Sequence, residues 1–521
     1  MDEFKHGGQP FFISKGFYEN IFPVKTVLYA YFYQIAHLLS SDSFQIMLIS
    51  RLQTALLGCM TLYFLYLISR NLGRERLESL FILCVALAFS TFMERIFRVR
   101  SEPLALVFVI VSLWLLTIER QTATKILVAG LFAGASFLTT QKSVYFNLAL
   151  GSALVVDALM TDSISSAAKK AFLLLAGWCA ALVLYSFYFR GIYLYEVIAQ
   201  IFTRSTDLYL HGAAYYHLGG SIGLTVTRDF LFYFLGIWGW LLAGRKVRRM
   251  DGPERIAWVF SGMITCFIFT HNQPWPYVFI SCIPFIALWS DRSLAWLGKY
   301  IRRRYLTAIL VVITALSFVR NFYYLSHSNL LQREVVTQAQ SLLRTQQGYC
   351  DGIGMVVNRE RPFRAWWDVR KRVKILQDAD AGRGRDVEEV FSGQPKLWIL
   401  NYRTTALKEV LSPYFTHSYV RIFSNILISG CQVTSSSETV FMNRWVGAYR
   451  LFSREGQPLD NCFSLNGKTA CGTVELPLGE SLIRVNGSSS IAYLLPADIS
   501  VPFSIPTGMN QLPLFANVYD Y

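Results

Sequence analysis

Apolar stretches of the length that lets a helix cross a ~30 Å hydrocarbon layer, about 17–25 residues, recur along the first 322 residues. They lie at 47–69, 78–95, 103–118, 125–140, 144–160, 171–189, 229–244, 256–271, 276–290 and 305–322, several of them a residue or two short of that range. About ten spanning helices are therefore expected. The whole chain is 53% hydrophobic and only 16% charged, a balance outside that of soluble globular domains, which excludes an ordinary soluble enzyme. The segment 24–40 is also apolar, but it carries Lys25, Gln34 and His37 and is read as lying along the membrane surface. From about 323 the composition turns polar. Alternation at 475–478 and 490–494 suggests β-structure after a helical start. The expected architecture is an α-helical polytopic membrane protein with a C-terminal soluble mixed α/β domain. Its parts are an outer loop with juxtamembrane helix (1–46), a transmembrane domain (47–322) and an extracytoplasmic domain (323–521).

The formal net charge is +15, which by itself could suggest nucleic acid. The basic residues, however, sit mostly in short loops between apolar runs, and no groove-reading motif is present, so no nucleic-acid partner is expected. Arg70, Arg74, Arg76, Arg120, Lys125, Lys169, Lys170, the basic run from Arg245 to Arg249, Arg292, Lys299 and Arg302 to Arg304 all fall on one side. The positive-inside rule makes that side cytoplasmic. Residues 1–46, the 96–102 turn, the 190–228 loop, the 271–276 turn and everything after 322 are then outside, whereas a crossing 24–40 segment would put the N-terminus inside. Five of the nine cysteines lie in or beside apolar runs. Cys350, Cys431, Cys462 and Cys471 lie in the polar tail, where an even number permits disulfides in an oxidising compartment, Cys462 and Cys471 being the closest pair.

The residues that could carry chemistry gather on the outer side. Asp2 and Glu3 are adjacent carboxylates ahead of a surface-lying helix, with His6 close by. A carboxylate at a membrane rim suits general-base work, and a solvated acidic terminus is the plainer reading. Arg95, Arg98 and Arg100 run against the positive-inside bias, with Glu102 beside them. A phosphate headgroup would account for them through forked guanidinium contacts, and so would snorkelling to ordinary lipid. Lys142, in a very short outer turn, can join the same cluster. His271 can donate to phosphate, and the rings of Trp275 and Tyr277 suit a sugar or interfacial lipid. His211 and His217 lack a companion at a recognisable ligand spacing, so no metal site is expected.

Taken in order, several short stretches resemble the GT-C superfamily of polyprenyl-phosphate-sugar-dependent glycosyltransferases, above all the bacterial aminoarabinose transferase and protein O-mannosyltransferase-like branch. They are Asp2-Glu3 with His6-Gly7, Phe22-Pro23 leading into 24–40, Arg51 opening a span that ends at Arg70-Asn71-Leu72-Gly73-Arg74, and the run from Arg98 to Ala105. The resemblance covers about residues 1–322. It implies a GT-C-like fold in the inner (plasma) membrane with a periplasmic C-terminal domain, and Asp2 as catalytic base with Glu3 beside it. It implies a bilayer-embedded cavity for a polyprenyl-phosphate sugar and inverting transfer to a glycan, lipid or protein acceptor in cell-envelope glycan biosynthesis. Arg98, Arg100, Lys142 and His271 then bind the donor phosphate, while His6, Glu102, Trp275 and Tyr277 contact sugar or acceptor. No cofactor is expected, the lipid-linked sugar being a substrate. Where the family has a span before the acidic pair, only Met1 precedes Asp2, so the chain is expected either to begin at an internal Met of a longer reading frame or to lack the first helix. The alternatives are a membrane transporter or flippase, an O-antigen polymerase or ligase whose 190–228 loop carries the chemistry, and a non-catalytic scaffold.

Overall fold

The computed structural model describes residues 27–161, 163–191, 194–195, 197–199, 218–271, 276–325, 330–344, 347–351, 356, 375–376, 388, 391–401, 404, 407–423, 425–486, 491–499, 502–503 and 505. Its first part is helical, with α1 (Val27–Leu39), α2 (Ser43–Asn71), α3 (Arg76–Ala88), α4 (Ser90–Ile96), α5 (Ser101–Leu116), α6 (Ala123–Thr139), α7 (Ser143–Thr161) and α8 (Ile164–Phe189). There follow α9 (Leu218–Arg228), α10 (Phe230–Gly244), α11 (Gly252–Phe269), α12 (Ile283–Ala287), α13 (Ser290–Leu297) and α14 (Arg303–Leu325). Asp42, Thr122, Ser163 and Asp251 start α2, α6, α8 and α11 by accepting a hydrogen bond from the amide three residues on. Each satisfies a donor that a helix start leaves open.

Among the described residues, α7, α8 and the 44–71 part of α2 are long and apolar enough to cross a membrane, and α3 with α4 makes a fourth span if the bent pair counts as one. α5, α6 and α10 are apolar but shorter. At 16 and 17 residues, α5 and α6 extend about 24–26 Å, less than the hydrocarbon thickness. The expected span at 276–290 is not a single helix. A 3₁₀ turn (Pro276–Ser281) leads into α12 and α13, and Phe279, Ile280, Cys282, Ile283, Phe285, Ala287, Leu288 and Trp289 along it are fully buried. Irregular backbone at membrane depth is tolerated where protein covers it on all sides.

The run at 78–95 departs from the expectation too, because α3 and α4 meet at a 76° bend, with Phe89 extended between them. A break frees the first amides of α4, which a bilayer cannot hydrate. The carboxylate of Asp229, fully buried just ahead of α10, supplies a partner for one of them. It accepts from Ser90 Oγ at 2.8 and 2.9 Å and from the Thr91 amide at 3.3 Å. Arg320 of α14 neutralises it at 2.7 Å and also donates to the Arg228 carbonyl. Beside this group Arg228 grips Glu94 with both terminal nitrogens.

Small residues set the closest helix contact. Gly130 of α6 and Gly177 of α8 face each other so tightly that a Cβ on either would overlap the opposing carbonyl, of Leu174 or Leu127. In lipid, where apolar burial gives helices no preference for one another, such close approach is what favours association. α10 and α11 are joined differently: the indoles of Trp240 and Trp258 stack 4.8 Å apart, and each donates its N–H to the other's carbonyl, at 2.8 and 2.9 Å.

The C-terminal part contains α15 (Leu330–Leu342), α16 (Lys408–Ser418) and three four-stranded sheets. The first runs β1 (Tyr349–Cys350), β2 (Leu397–Ile399), β4 (Ile426–Ser429), β3 (Tyr419–Phe423), parallel only between β1 and β2. The second runs β10 (Val474–Leu476), β7 (Gly447–Phe452), β12 (Ile491–Pro496), β5 (Cys431–Thr434), and the third β6 (Thr439–Asn443), β11 (Gly479–Val485), β8 (Cys462–Leu465), β9 (Lys468–Cys471). Val433, Phe441, Tyr449, Phe463, Ile483 and Leu494 fill one core between these two sheets. Cys462 and Cys471 face each other across β8 and β9 and form a disulfide, while Cys350 and Cys431 are buried free thiols. The chain is thus a polytopic helical membrane protein with a C-terminal β-rich domain.

One ion pair ties the first sheet to the end of the domain. Lys396, with no exposed side-chain surface, donates to Asp498 at 2.7 Å and to Gln347 at 2.9 Å. Burial pushes the Lys396 ammonium below its ordinary value. Burial alone would raise Asp498, but the Lys396 charge and the hydrogen bonds of Lys396 and Gln347 outweigh it and hold the carboxyl below the usual range. A carboxylate depressed in the folded state contributes stability above its unfolded value, near 3.9, and that contribution disappears as pH falls through the folded value. Asp498→Asn should therefore lower stability at pH 7 by about 3 kcal/mol. The difference from wild type should narrow on acidification below about pH 4, read from melting temperatures of the full chain in detergent.

A second expectation concerns α6 and α8. Gly177→Leu should cost at least about 3 kcal/mol through forced separation of the two helices. Gly151→Leu, where an added side chain meets open space, should stay within about 0.5 kcal/mol of wild type. Heat-induced loss of monodisperse protein in detergent would rank the two.

Candidate functional site

Four helix ends meet at one end of the bundle: the starts of α5 and α7 and the ends of α6 and α11. The turn from α6 to α7 is only three residues, 140–142, which sets Lys142 directly opposite the start of α5. There Glu102, with 4% of its side chain exposed, binds Arg100 through Oε2 at 3.2 Å and Lys142 through Oε1 at 3.0 Å. Ser101 donates to the same carboxylate at 3.4 Å. The Tyr277 ring lies against both cations, 3.4 Å from the Arg100 guanidinium carbon and 4.4 Å from Lys142 Nζ. Such contacts contribute about 0.5–2 kcal/mol each, and with Glu102 they hold two like charges together. Arg100, Lys142 and Glu102 sum to +1, and the two cations keep 28% and 23% of their side-chain surface exposed.

Around this core the structure adds residues that the motif reading did not single out. Tyr145, one helical turn beyond Lys142, stacks on Phe267 and lies 3.0 Å from His271 Nδ1 through its hydroxyl. Its signal was the i, i+3 spacing from Lys142 on one helix face. Tyr33 of α1 bonds Thr54 of α2 at 2.8 Å and reaches the Arg100 carbonyl at 3.5 Å, and it packs edge-on against Tyr29. Helix α1 thus supplies part of the wall behind the cluster.

Of the residues singled out in the sequence, Arg100, Glu102, Lys142 and Tyr277 come together, and His271 joins them through Tyr145. Arg98 sits on the same turn but donates to the Glu94 carbonyl at 3.4 Å. Glu102, read as a sugar or acceptor contact, is buried with both oxygens engaged by the cations, so it positions them. Asp2, Glu3, His6 and Trp275 lie outside the described residues, as does the 201–217 stretch that contains His211 and His217. Among the described residues no three His, Cys, Asp or Glu side chains gather as a metal site would require. At the opposite end of the bundle Asp157 holds Arg255 at 3.1 Å and Lys170 at 3.9 Å, and Asp291 holds Arg74 at 2.8 Å and Arg292 at 3.8 Å.

Fold and cluster together define a polytopic membrane protein with a partly exposed cationic site at one rim. Residues 380–428 match a domain of unknown function, DUF7056, and no curated protein matches the chain by sequence. The chain is similar in structure to ArnT from Cupriavidus metallidurans. The apo form matches with a TM-score of 0.48 at 13% identity, and the form bound to undecaprenyl phosphate with 0.49 at 14% identity; each comparison covers 78% of this chain and 88% of the other. It is likewise similar to the apo oligosaccharyltransferase of Archaeoglobus fulgidus, with a TM-score of 0.48 at 11% identity over 88% of this chain and 68% of the other.

Glu102→Gln should remove the buried anion that holds Arg100 and Lys142 together and lower stability by about 2 kcal/mol. Much less should be lost in the double variant Glu102→Gln with Lys142→Met, which removes the like-charge neighbour as well. Melting of the purified protein in detergent at low and high salt would separate the two, the single variant recovering in salt as repulsion is screened.

Proposed function

We propose that the protein is a membrane glycosyltransferase that moves a sugar from a polyprenyl-phosphate donor to an acceptor hydroxyl. The observation that carries this reading is the Arg100, Lys142 and Glu102 cluster: two cations fixed by a buried carboxylate, exposed enough to meet a ligand, at a bilayer rim where a lipid-borne phosphate would sit. Preset charge of this kind stabilises a leaving phosphate without reorganising when the bond breaks. In the proposed reaction Asp2, with Glu3 beside it, accepts the proton of the acceptor hydroxyl. The oxygen bonds the anomeric carbon from the face opposite the phosphate, and the carbon–oxygen bond to phosphate breaks with inversion. Arg100 and Lys142 meet the growing charge, with Arg98 next along the same turn. A Tyr145 hydroxyl donating to His271 Nδ1 would leave the ring proton on Nε2, available to a phosphate oxygen. Tyr277, with Trp275 and His6, is assigned to the sugar or acceptor.

We place the site on the extracytoplasmic face of the inner (plasma) membrane with the C-terminal domain on the same side. The asymmetry of Lys and Arg between loops supports that orientation, as does the Cys462–Cys471 pairing, because disulfides persist in oxidising compartments. The transferred unit is a hexose or pentose, and the acceptor a glycan, lipid or protein. A transporter would need charged groups along a path through the membrane; the buried Asp157 and Asp229 are locked in ion pairs.

The test is release of polyprenyl phosphate from a panel of polyprenyl-phosphate sugars by protein in nanodiscs, with native membrane extract as acceptor. Asp2→Asn should slow turnover by about 10²–10⁴, and Arg100→Ala with Lys142→Met by about 10²–10³. Absence of release with every donor, or an Asp2→Asn variant as fast as wild type, would overturn the assignment.

A further inference from the structure

The C-terminal domain carries a second site candidate, remote in sequence from the rim cluster. A cavity of about 480 Å³ opens between the first sheet's helical flank and the β6–β11 edge, lined by Glu388, Phe391, Ser392, Met442, Arg444 and Leu478 among others. Its volume falls within the range of about 300–1,000 Å³ that small-ligand sites span, and junctions between structural units are where such sites recur. Arg444 leaves the end of β6 and lies over the rings of Phe391 and Tyr414, at 5.2 and 5.6 Å. Those two rings stack on each other 4.9 Å apart. The guanidinium is thereby fixed in a plane, with one terminal nitrogen on Glu388 at 3.0 Å and Nε buried with no hydrogen-bond partner among the described residues.

From this arrangement we infer that the cavity binds a neutral, hydroxyl-rich ligand, a sugar unit of a glycan. The walls place one planar cation beside one planar anion, each able to make two-point contacts to neighbouring hydroxyls. Ser392 adds a hydroxyl, and Met442 and Leu478 offer an apolar surface for the C–H face of a ring. An anionic ligand would have to displace Glu388 or face its repulsion. A purely apolar one would bury the Arg444–Glu388 pair without replacing its water. Glu388, Phe391 and Ser392 fall in the stretch that matches the domain of unknown function. The inference does not depend on the transfer reaction, because binding here is independent of Asp2, Arg100 and Lys142.

Saturation-transfer NMR on the full chain in nanodiscs would test it, with methyl α-mannopyranoside, methyl β-galactopyranoside, N-acetylglucosamine and maltotriose as probes. Transfer to the ring protons of at least one sugar is expected. It should weaken about tenfold or more in Arg444→Ala and in Glu388→Gln, and persist in Arg450→Ala, whose partner Asp460 lies elsewhere, and in Asp2→Asn. Leu478→Trp, which fills the cavity from an exposed position, provides the same test if Arg444→Ala melts early. No transfer from any sugar, transfer unaltered in all three cavity variants, or complete displacement of the sugar by equimolar inorganic phosphate would overturn it, the last marking an anion site.

Discussion

The carboxylate of Asp229 is the constraint on which the membrane part of this molecule depends. A helix cannot break at bilayer depth unless something takes over the hydrogen bonds it surrenders. Here a side chain from a distant segment does so, binding the start of α4 through Ser90 and Thr91 while Arg320 balances its charge. The 76° bend that results sends the chain sideways, and only then can the turn at 97–100 carry Arg100 to the start of α5, opposite Lys142. One buried anion therefore joins α4, α10 and α14, and so fixes the geometry of a site made by other residues.

That site follows the same logic at the surface. Arg100 and Lys142 are of like charge and would separate in water, yet Glu102 and the face of Tyr277 keep them adjacent. The arrangement is poised because both cations keep part of their surface open to a ligand, whereas at the opposite end Arg255 and Arg74 are buried against Asp157 and Asp291. The difference between a structural pair and a receptive one lies in that exposure.

How much of this the sequence disclosed depended on whether the signal was local. The apolar runs at 47–69, 144–160 and 171–189 appear as α2, α7 and α8, because length and hydrophobicity are properties of the segment itself. The 276–290 run looked the same but winds through short turns, since its complete burial by neighbouring helices removes the need for a regular span. The break at Phe89 was illegible for a related reason: its cause, Asp229, lies 140 positions away. Arg100, Lys142 and Tyr277 stood out by being charged or aromatic at span ends. Glu102 stood out as well, but its burial and its hold on two cations required the packing of α5 against the α6–α7 turn. Tyr145 and Tyr33 carried no distinguishing mark beyond their spacing, and the Arg444 cavity draws on segments more than fifty residues apart.

The reciprocal Trp240–Trp258 bond has a consequence for biogenesis. α10 and α11 are joined by a short basic connection, and each indole N–H is satisfied within the pair. This helical hairpin can enter the bilayer with both of these indole donors already paired, needing no later helix to complete them. Gly244 and Gly262, against which the two rings lie, leave room for that clasp to close early. Insertion of the second half of the bundle can then begin from a finished unit, to which α12 to α14 are added.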